Sequence, residues 1–413
     1  MAQRKSSIAI QRLQAVDRRL GWAACVLIQP WRWLRLMRRP TSPPSAEEIL
    51  LIKFWGIGSL QLLTPAVDVL RRRHQGARIT LLTLRENVTF ASGLEVFDEV
   101  RSFDAQASSW FELTRRILQL GFGLRAASFD RVYDFEFFTR FSALVSFMTR
   151  APRTTGFNAS STWRGSLHSD NITFNRYWHV ARNFRALAGG ETGEQVPVTQ
   201  LAAYQVSSGD EAGLAELLKH RRVARGPYVV LNPNAGRLSL ERRWSRANFA
   251  ELARKVHNET RANVILVGSK SEQEYTAELR NLTTDLDPSR LFDLAGQMSI
   301  GELAALLKGA AAVVSNDSGP MHLSAALGAP TLGLFGPETP LMYKPMGPKA
   351  EHLYRPTICS PCINVHQGKV ASCIHSRPEC LENITVAEVW SWLESNLAQS
   401  AVQKPTTLRA LDA

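Results

Sequence analysis

The stretch 315–330, "SNDSGPMHLSAALGAP", decides how this chain is read. The apolar run "AAVV" (311–314) leads into it and "TLGLFG" (331–336) follows it. A buried strand therefore ends at Ser315, a helix opens within four residues, and Gly328 closes that helix. Ser318 stands at the N-cap position, with Gly319 and Pro320 suited to the first turn. Strand running into helix is the unit of a parallel α/β sheet, whose ligands bind beyond the carboxyl ends of the strands. Backbone N–H groups and the positive helix end at this lip favour an anionic group such as a diphosphate. Asp317 repels phosphate and suits a hydroxyl, while His322, one turn in, aims a donor at the same place. A well-capped helix with a buried histidine is the plainer alternative.

Outward from this stretch, strand and helix patterns alternate. "ILLIKFW" (49–55), "RITLLT" (78–83) and "VYDFEF" (132–137) are separated by helical stretches such as "LQLLTPAVDVLRRRH" (60–74) and "SSWFELTRRILQL" (108–120). The pattern pauses over 151–225 and resumes with "YVVLNP" (228–233), "NVILVG" (263–268) and "LFDLAG" (291–296), each followed by a helical stretch. Two such blocks predict two doubly wound α/β domains. We place a basic N-terminal segment and linker at 1–48, a first domain at 49–225, a second at 226–395 and a tail at 396–413. The strand ends to watch are "GIGS" (56–59), "DFEFFTR" (134–140), "NPNAGR" (232–237) and "GSKSE" (268–272).

Residues 315–340, "SNDSGPMHLSAALGAPTLGLFGPETP", closely resemble the signature of glycosyltransferase family 9, the heptosyltransferases. "ERRWSRANFAELA" resembles the family's Lys-x-Trp element, "GSKSE" its Gly-x-x-x-Glu turn, and "LAGQMSIGELAALL" a further conserved stretch of the family. The resemblance spans most of 49–395. It implies a GT-B fold, two Rossmann-like domains facing a central cleft, and inverting, metal-independent transfer of a sugar from a nucleotide-sugar donor. ADP-heptose is the donor it favours, with lipopolysaccharide core or a related glycolipid as acceptor.

Carried residue by residue, the resemblance implies that Asp317, Ser318, Gly319 and His322 hold diphosphate and sugar. Arg242 stands where the family has a phosphate-binding lysine. Glu272 accepts from ribose hydroxyls, Met298 flanks the base, and Asn234 and Arg237 complete the donor site. Arg140 faces an acceptor anion or is a solvated helix residue. Ser59 occupies the position of the family's carboxylate base, and a serine hydroxyl is not basic near neutral pH. Glu136, at a neighbouring strand end, is the candidate replacement base, with Asp134 next. Without such a base, the alternative is a catalytically silent nucleotide-sugar or glycolipid-binding protein of the same fold. A dinucleotide oxidoreductase is disfavoured, because "GIGSLQ" lacks the third glycine of the G-x-G-x-x-G fingerprint.

Formal charge is +12 at pH 7, and residues 1–46 supply most of it, with nine Arg or Lys against one acid, Asp17. The folded body is only mildly basic, which excludes nucleic acid as the expected partner. The N-terminal segment, with Trp22, Trp31 and Trp33, carries an apolar run too short to span a bilayer. Arg32, Arg35 and Arg39 share one helical face, so it reads as lying on an anionic membrane surface. A bland basic tail or an export signal are the competing readings. The expected location is cytoplasmic, peripheral on the inner face of the cytoplasmic membrane. Cys359, Cys362, Cys373 and Cys380 are either free thiols in a loop or a structural zinc site, although the later gaps match no standard zinc spacing. No other cofactor is expected.

Overall fold

The computed structural model describes residues 17–36, 47–137, 139–158, 162–165, 167–189, 200–236, 239–363 and 372–402. They form two compact units, 17–189 and 200–402.

The first unit is built on strands β1 (Glu48–Ile52), β2 (Arg78–Leu84), β3 (Glu99–Phe103), β4 (Arg131–Asp134), β5 (Arg153–Asn158) and β6 (Asp170–Thr173). All pair in parallel in the order β3-β2-β1-β4-β5-β6. Ile49, Leu50, Leu51 and Ile52 are all sealed from solvent, as a strand covered on both faces requires. Its longer helices are α1 (Trp22–Leu36), α2 (Ile57–Arg73), α3 (Trp110–Ala126), α4 (Phe141–Met148) and α5 (Val180–Leu187). Pro65 lies inside α2 and cannot donate to the Gln61 carbonyl four residues back. The Thr64 hydroxyl donates to that carbonyl instead, at 2.9 Å.

The N-terminal segment is docked rather than free. The Asp17 carboxylate accepts from the amides of Arg140 and Phe141 and from Thr139 Oγ1, so it caps α4 across more than a hundred residues of chain. Cys25 is buried against Ala143 and Leu167, and burial pushes its thiol up to about 11. Gly21 lies so close to Arg140 that a side chain there would sit 3.0 Å from its Cβ. The arginine face expected from Arg32, Arg35 and Arg39 falls outside the described side chains.

The second unit repeats the architecture with β7 (Tyr228–Asn232), β8 (Asn263–Leu266), β9 (Leu291–Asp293), β10 (Ala312–Asn316), β11 (Thr331–Phe335) and β12 (Ala350–Tyr354). They pair in parallel in the order β12-β11-β10-β7-β8-β9. Its longer helices are α6 (Ser208–His220), α7 (Arg246–Glu259), α8 (Gln273–Asn281), α9 (Ile300–Lys308), α10 (Gly319–Ala326) and α11 (Val386–Val402). This unit starts before the expected residue 226, because α6 packs on α9. The two helices approach closely through Gly213, against Glu302, and Gly301, against Asp210. It also runs past the expected 395, since α11 continues to Val402; residues 403–413 lie outside the described residues.

Candidate active site

In the second sheet the strand order reverses between β7 and β10, and Asn234, Arg242, Asp317, Ser318 and Gly319 lie beyond the carboxyl ends of these two strands, while Glu272 follows β8 and Met298 follows β9. Asn232, the last residue of β7, donates from Nδ2 to Ser315 Oγ at 2.9 Å and to Ser318 Oγ at 2.8 Å, tying the lips together. Ser318 occupies the N-cap of α10, yet its side chain makes no cap hydrogen bond; its hydroxyl donates to the Asn316 carbonyl. The first turn of α10 is thus left without a side-chain cap, so its positive end is presented at the crevice.

Arg242 is fixed at the same lip. Nη1 donates to the Asp317 carbonyl at 2.9 Å and pairs with Asp317 Oδ2 at 3.0 Å, while Nη2 donates to the Ala235 carbonyl at 2.6 Å. What holds this segment in place is Trp244, fully buried two residues on. Its amide donates to Asn316 Oδ1 at 3.0 Å and its indole N–H to the Ile384 carbonyl at 2.9 Å. The tryptophan of the Arg-x-Trp element is an anchor, and the arginine is what it positions.

Asn234 donates from Nδ2 to the Val267 carbonyl at 3.0 Å, and Gly268 has no room for a side chain beside it. Glu272 accepts from Ser269 N at 2.9 Å and Ser269 Oγ at 2.7 Å, forming a capping box, and from Gly236 N at 3.3 Å. It therefore braces the β7 and β8 lips. His322 is buried within α10 and Met298 is half-buried between β9 and α9. Arg237 lies outside the described residues.

The first sheet reverses between β1 and β4, and here a charged pair fills the crevice. Lys53 Nζ and the Phe54 and Trp55 amides donate to Glu136 Oε1 at 2.7, 2.7 and 3.1 Å. Lys53 and Glu136 are both sealed from solvent. Beside them Asp134 accepts from Arg164 Nη1 at 2.9 Å and from Ser142 Oγ at 2.8 Å, with His168 Nε2 at 3.1 Å. Burial works to raise the Asp134 carboxyl, but Arg164 and His168 outweigh it and hold it below 3.8. Arg140 is turned inward: Nε donates to the Trp163 carbonyl at 3.0 Å, and Asp17 lies 3.8 Å from Nη1.

With this geometry in view, comparison with known proteins is decisive. The model of glycosyltransferase family 9 (heptosyltransferase) matches residues 117–372. The chain belongs to this family. It is 27% identical over 287 residues to lipopolysaccharide heptosyltransferase 2 of Escherichia coli K12, covering 68% of this chain and 79% of that one. The fold matches that of E. coli ADP-heptose lps heptosyltransferase II with a TM-score of 0.69 at 23% identity, over 86% of this chain and 99% of the other. An E. coli heptosyltransferase solved with ADP matches at 0.62 and 19%, over 84% and 99%. The protein is a glycosyltransferase of GT-B fold.

Three expectations for this family 9 transferase need correction. Glu136 is poorly placed as a base, because its side chain is sealed from solvent and Oε1 already accepts three hydrogen bonds, one of them from the Lys53 ammonium. Its charge instead holds the end of β1, and with it the turn that leads to Ser59. Asp134 is likewise spent on Arg164, Ser142 and His168. Arg140 is not a solvated helix residue; it is nearly sealed from solvent and ties the Asp17 segment to the Trp163 loop.

Lys53 was legible as a lone charge inside an apolar run. Arg164 and His168 had no signal, lying where strand and helix patterns pause. All four clustered cysteines are free thiols, and burial pushes Cys362 and Cys380 up. Cys359 Sγ lies 3.9 Å from His375 Nε2. Among the described residues, no group of three or more His, Cys, Asp or Glu is placed to hold a metal.

His168 gives the transferase an acid limit. Burial pulls its imidazole below the ordinary 6.5, against the raising effect of Asp134. Below about pH 6.5 the unfolded chain binds a proton that the folded unit refuses, so stability falls as pH drops through that value. Asp134 adds a second loss below about pH 3.8, where its unfolded form would protonate. Melting midpoints should decline from about pH 7 to about pH 5.5. A His168→Gln variant should be less stable at neutral pH yet show a flatter slope, and an unchanged slope would remove His168 as the source.

Proposed function

We propose that this transferase moves heptose from ADP-heptose to the lipopolysaccharide core or a related glycolipid, with inversion at the anomeric carbon. The observation that carries this reading is Arg242, held by Asp317 and Ala235 beside the uncapped start of α10. A diphosphate bound there meets a guanidinium fork and the positive end of a helix, with no need for a cation to carry the charge. As the acceptor hydroxyl oxygen bonds to the anomeric carbon, the bond to the β-phosphate oxygen breaks, ADP leaves with the electron pair and the hydroxyl proton passes to solvent water. Charge that develops on the leaving diphosphate is stabilised by Arg242 and α10, a transition-state effect rather than uniform binding. Asn234 and Glu272 suit the ribose side, His322 the sugar and Met298 the base. Asp317 serves by orienting Arg242.

The acceptor is membrane-embedded and approached from the cytoplasmic side, with the basic N-terminal segment bringing the protein to an anionic surface. Among the described residues, no helix is long and apolar enough to cross a membrane.

The test is a panel of ADP-, UDP- and GDP-sugars with heptose-deficient lipopolysaccharide, reading released nucleoside diphosphate. ADP-heptose alone should give acceptor-dependent release, and His322→Ala should slow it about 100-fold, as removal of a donor group aimed at the reacting sugar does. Release from another nucleotide sugar would overturn the donor. Tight ADP-heptose binding with no release on any acceptor would make this a silent binding protein.

A further inference from the structure

Helix α3 buries one apolar face and exposes another. Leu113, Ile117, Leu120 and Leu124 pack into the core beneath it, and Gly121 abuts Met148 of α4. On the opposite side Phe111, Leu118 and Phe122 are 82%, 52% and 69% exposed, with Trp110 exposed beside them. Phe111, Arg115, Leu118, Phe122 and Arg125 follow one another at spacings of four and three. At 100° per residue they fall within about 80° of the helix circumference. Arg115 and Arg125 are exposed and make no ion pair among the described residues. Arg116 is turned away to Glu112 and Asp104. The stripe is therefore aromatic and cationic, with no carboxylate on it.

Helix α4 packs between the inner face of α3 and the N-terminal helix. Phe141 and Val145 of α4 meet the core face of α3, while Ala143, Leu144 and Phe147 meet α1. The docked N-terminal segment in turn exposes Leu20, Trp22 and Leu27, and Trp22 lies 6.4 Å, ring to ring, from the exposed Trp163. Exposed aromatic patches of this size on a folded unit mark an interaction surface.

We infer that the outer face of α3, Phe111, Arg115, Leu118, Phe122 and Arg125, is a lipid-contacting surface that inserts into the headgroup region of an anionic bilayer. This rests on the membrane-proximal reading above and adds to it a second element that lies within the sugar-transferring fold itself. Charge complementarity selects the occupant. A second copy of the chain would set Arg115 and Arg125 against their own kind, whereas anionic headgroups neutralise them while the acyl boundary takes the phenyl rings. Two separate elements on one unit give the two-signal anchoring that a single weak insertion does not.

The experiment is flotation of the full chain with phosphatidylglycerol-containing vesicles and with phosphatidylcholine vesicles. It compares Phe111→Ser/Phe122→Ser, Arg115→Gln/Arg125→Gln and Leu20→Ser/Leu27→Ser with the unaltered protein. Each variant is also assayed for ADP release on a lipid-free core oligosaccharide and for size in solution. The unaltered chain should float with phosphatidylglycerol, and the phenylalanine pair should lose about tenfold or more of that partitioning. The arginine pair should lose about tenfold on anionic vesicles only. Release on the soluble acceptor should be unchanged in all of them. Flotation of the phenylalanine pair at the unaltered level, with loss confined to Leu20→Ser/Leu27→Ser, overturns the α3 surface and leaves the N-terminal contact standing. Failure of the unaltered chain to float on either vesicle overturns both. An oligomer that the phenylalanine pair dissociates, without flotation, assigns the face to a second copy instead.

Discussion

Glu136→Gln is expected to cost the first unit about 3–5 kcal/mol, the penalty for stranding one member of a fully buried ion pair. Lys53 and Glu136 are sealed from solvent and 2.7 Å apart, so a neutral amide leaves the ammonium without its carboxylate in a dry site. The melting midpoint should fall by roughly 10 °C. Lys53→Met should cost a similar amount, because it strands the carboxylate instead. The double variant Lys53→Met/Glu136→Gln removes both charges and should recover most of the loss. That recovery separates two roles that the single substitution confounds. As an anchor for the β1 turn, Glu136 is dispensable once Lys53 is also neutral, and the refolded double variant should transfer sugar within about tenfold of the unaltered rate. As a general base, its removal should cost 10²-fold or more however well the protein folds. A folded but inactive double variant would return Glu136 to the chemistry.

The parts of the fold that could be read directly are those buried on both faces. The apolar runs of β1, β7 and β10 admit one interpretation, and the polar cluster that ends β10 draws attention because it lies beyond a strand's carboxyl end, where parallel sheets bind ligands. β5 and β6 were missed for the opposite reason. "RTTGFN" and "DNIT" lie toward the edge of the sheet with several residues exposed, so they carry no apolar run and no clean alternation. The site divides along the same line. Arg242 and Asp317 were legible individually, because each follows a recognisable strand or precedes a recognisable anchor. Glu136 and Arg140 were visible as charges at strand ends, but their direction depends on partners 83 and 123 residues away, Lys53 and Asp17. Charge at a strand end is the same pattern whether it faces a substrate or closes a crevice, and only the pairing of β1 with β4 decides between them.

The uneven fate of the two crevices bears on how the protein works. In the second unit the β7 and β10 lips are tied by Asn232, Ser315 and Ser318 and by the Arg242–Asp317 pair, whose side chains keep 12% and 5% exposure beside the uncapped start of α10. In the first unit the equivalent position is closed by a salt bridge, and Ser59 brings no carboxylate. Ser59→Asp would place a carboxylate on a half-exposed residue in the first turn of α2 at little structural cost.

Arg242 is where the largest loss of turnover is expected. Arg242→Ala removes the charge proposed to stabilise the leaving diphosphate, and kcat/KM for the donor should fall 10²- to 10³-fold, about 2.7–4 kcal/mol of transition-state stabilisation. Its hydrogen bonds to Asp317 and Ala235 also brace the lip, so a small decrease in melting midpoint should accompany it. Arg242→Lys distinguishes charge from geometry. A lysine keeps the positive charge but cannot reach Asp317 and the Ala235 carbonyl together as the two guanidinium nitrogens do. The expected result is a KM for donor raised about tenfold with kcat largely kept, since the charge persists while its pre-organisation is lost. Asp317→Asn should resemble Arg242→Lys more than Arg242→Ala, because it loosens the arginine without removing it. Steady-state kinetics on the three variants order them directly. If Arg242→Ala leaves kcat/KM unchanged, the diphosphate is bound elsewhere and the β7–β10 crevice is not the donor site.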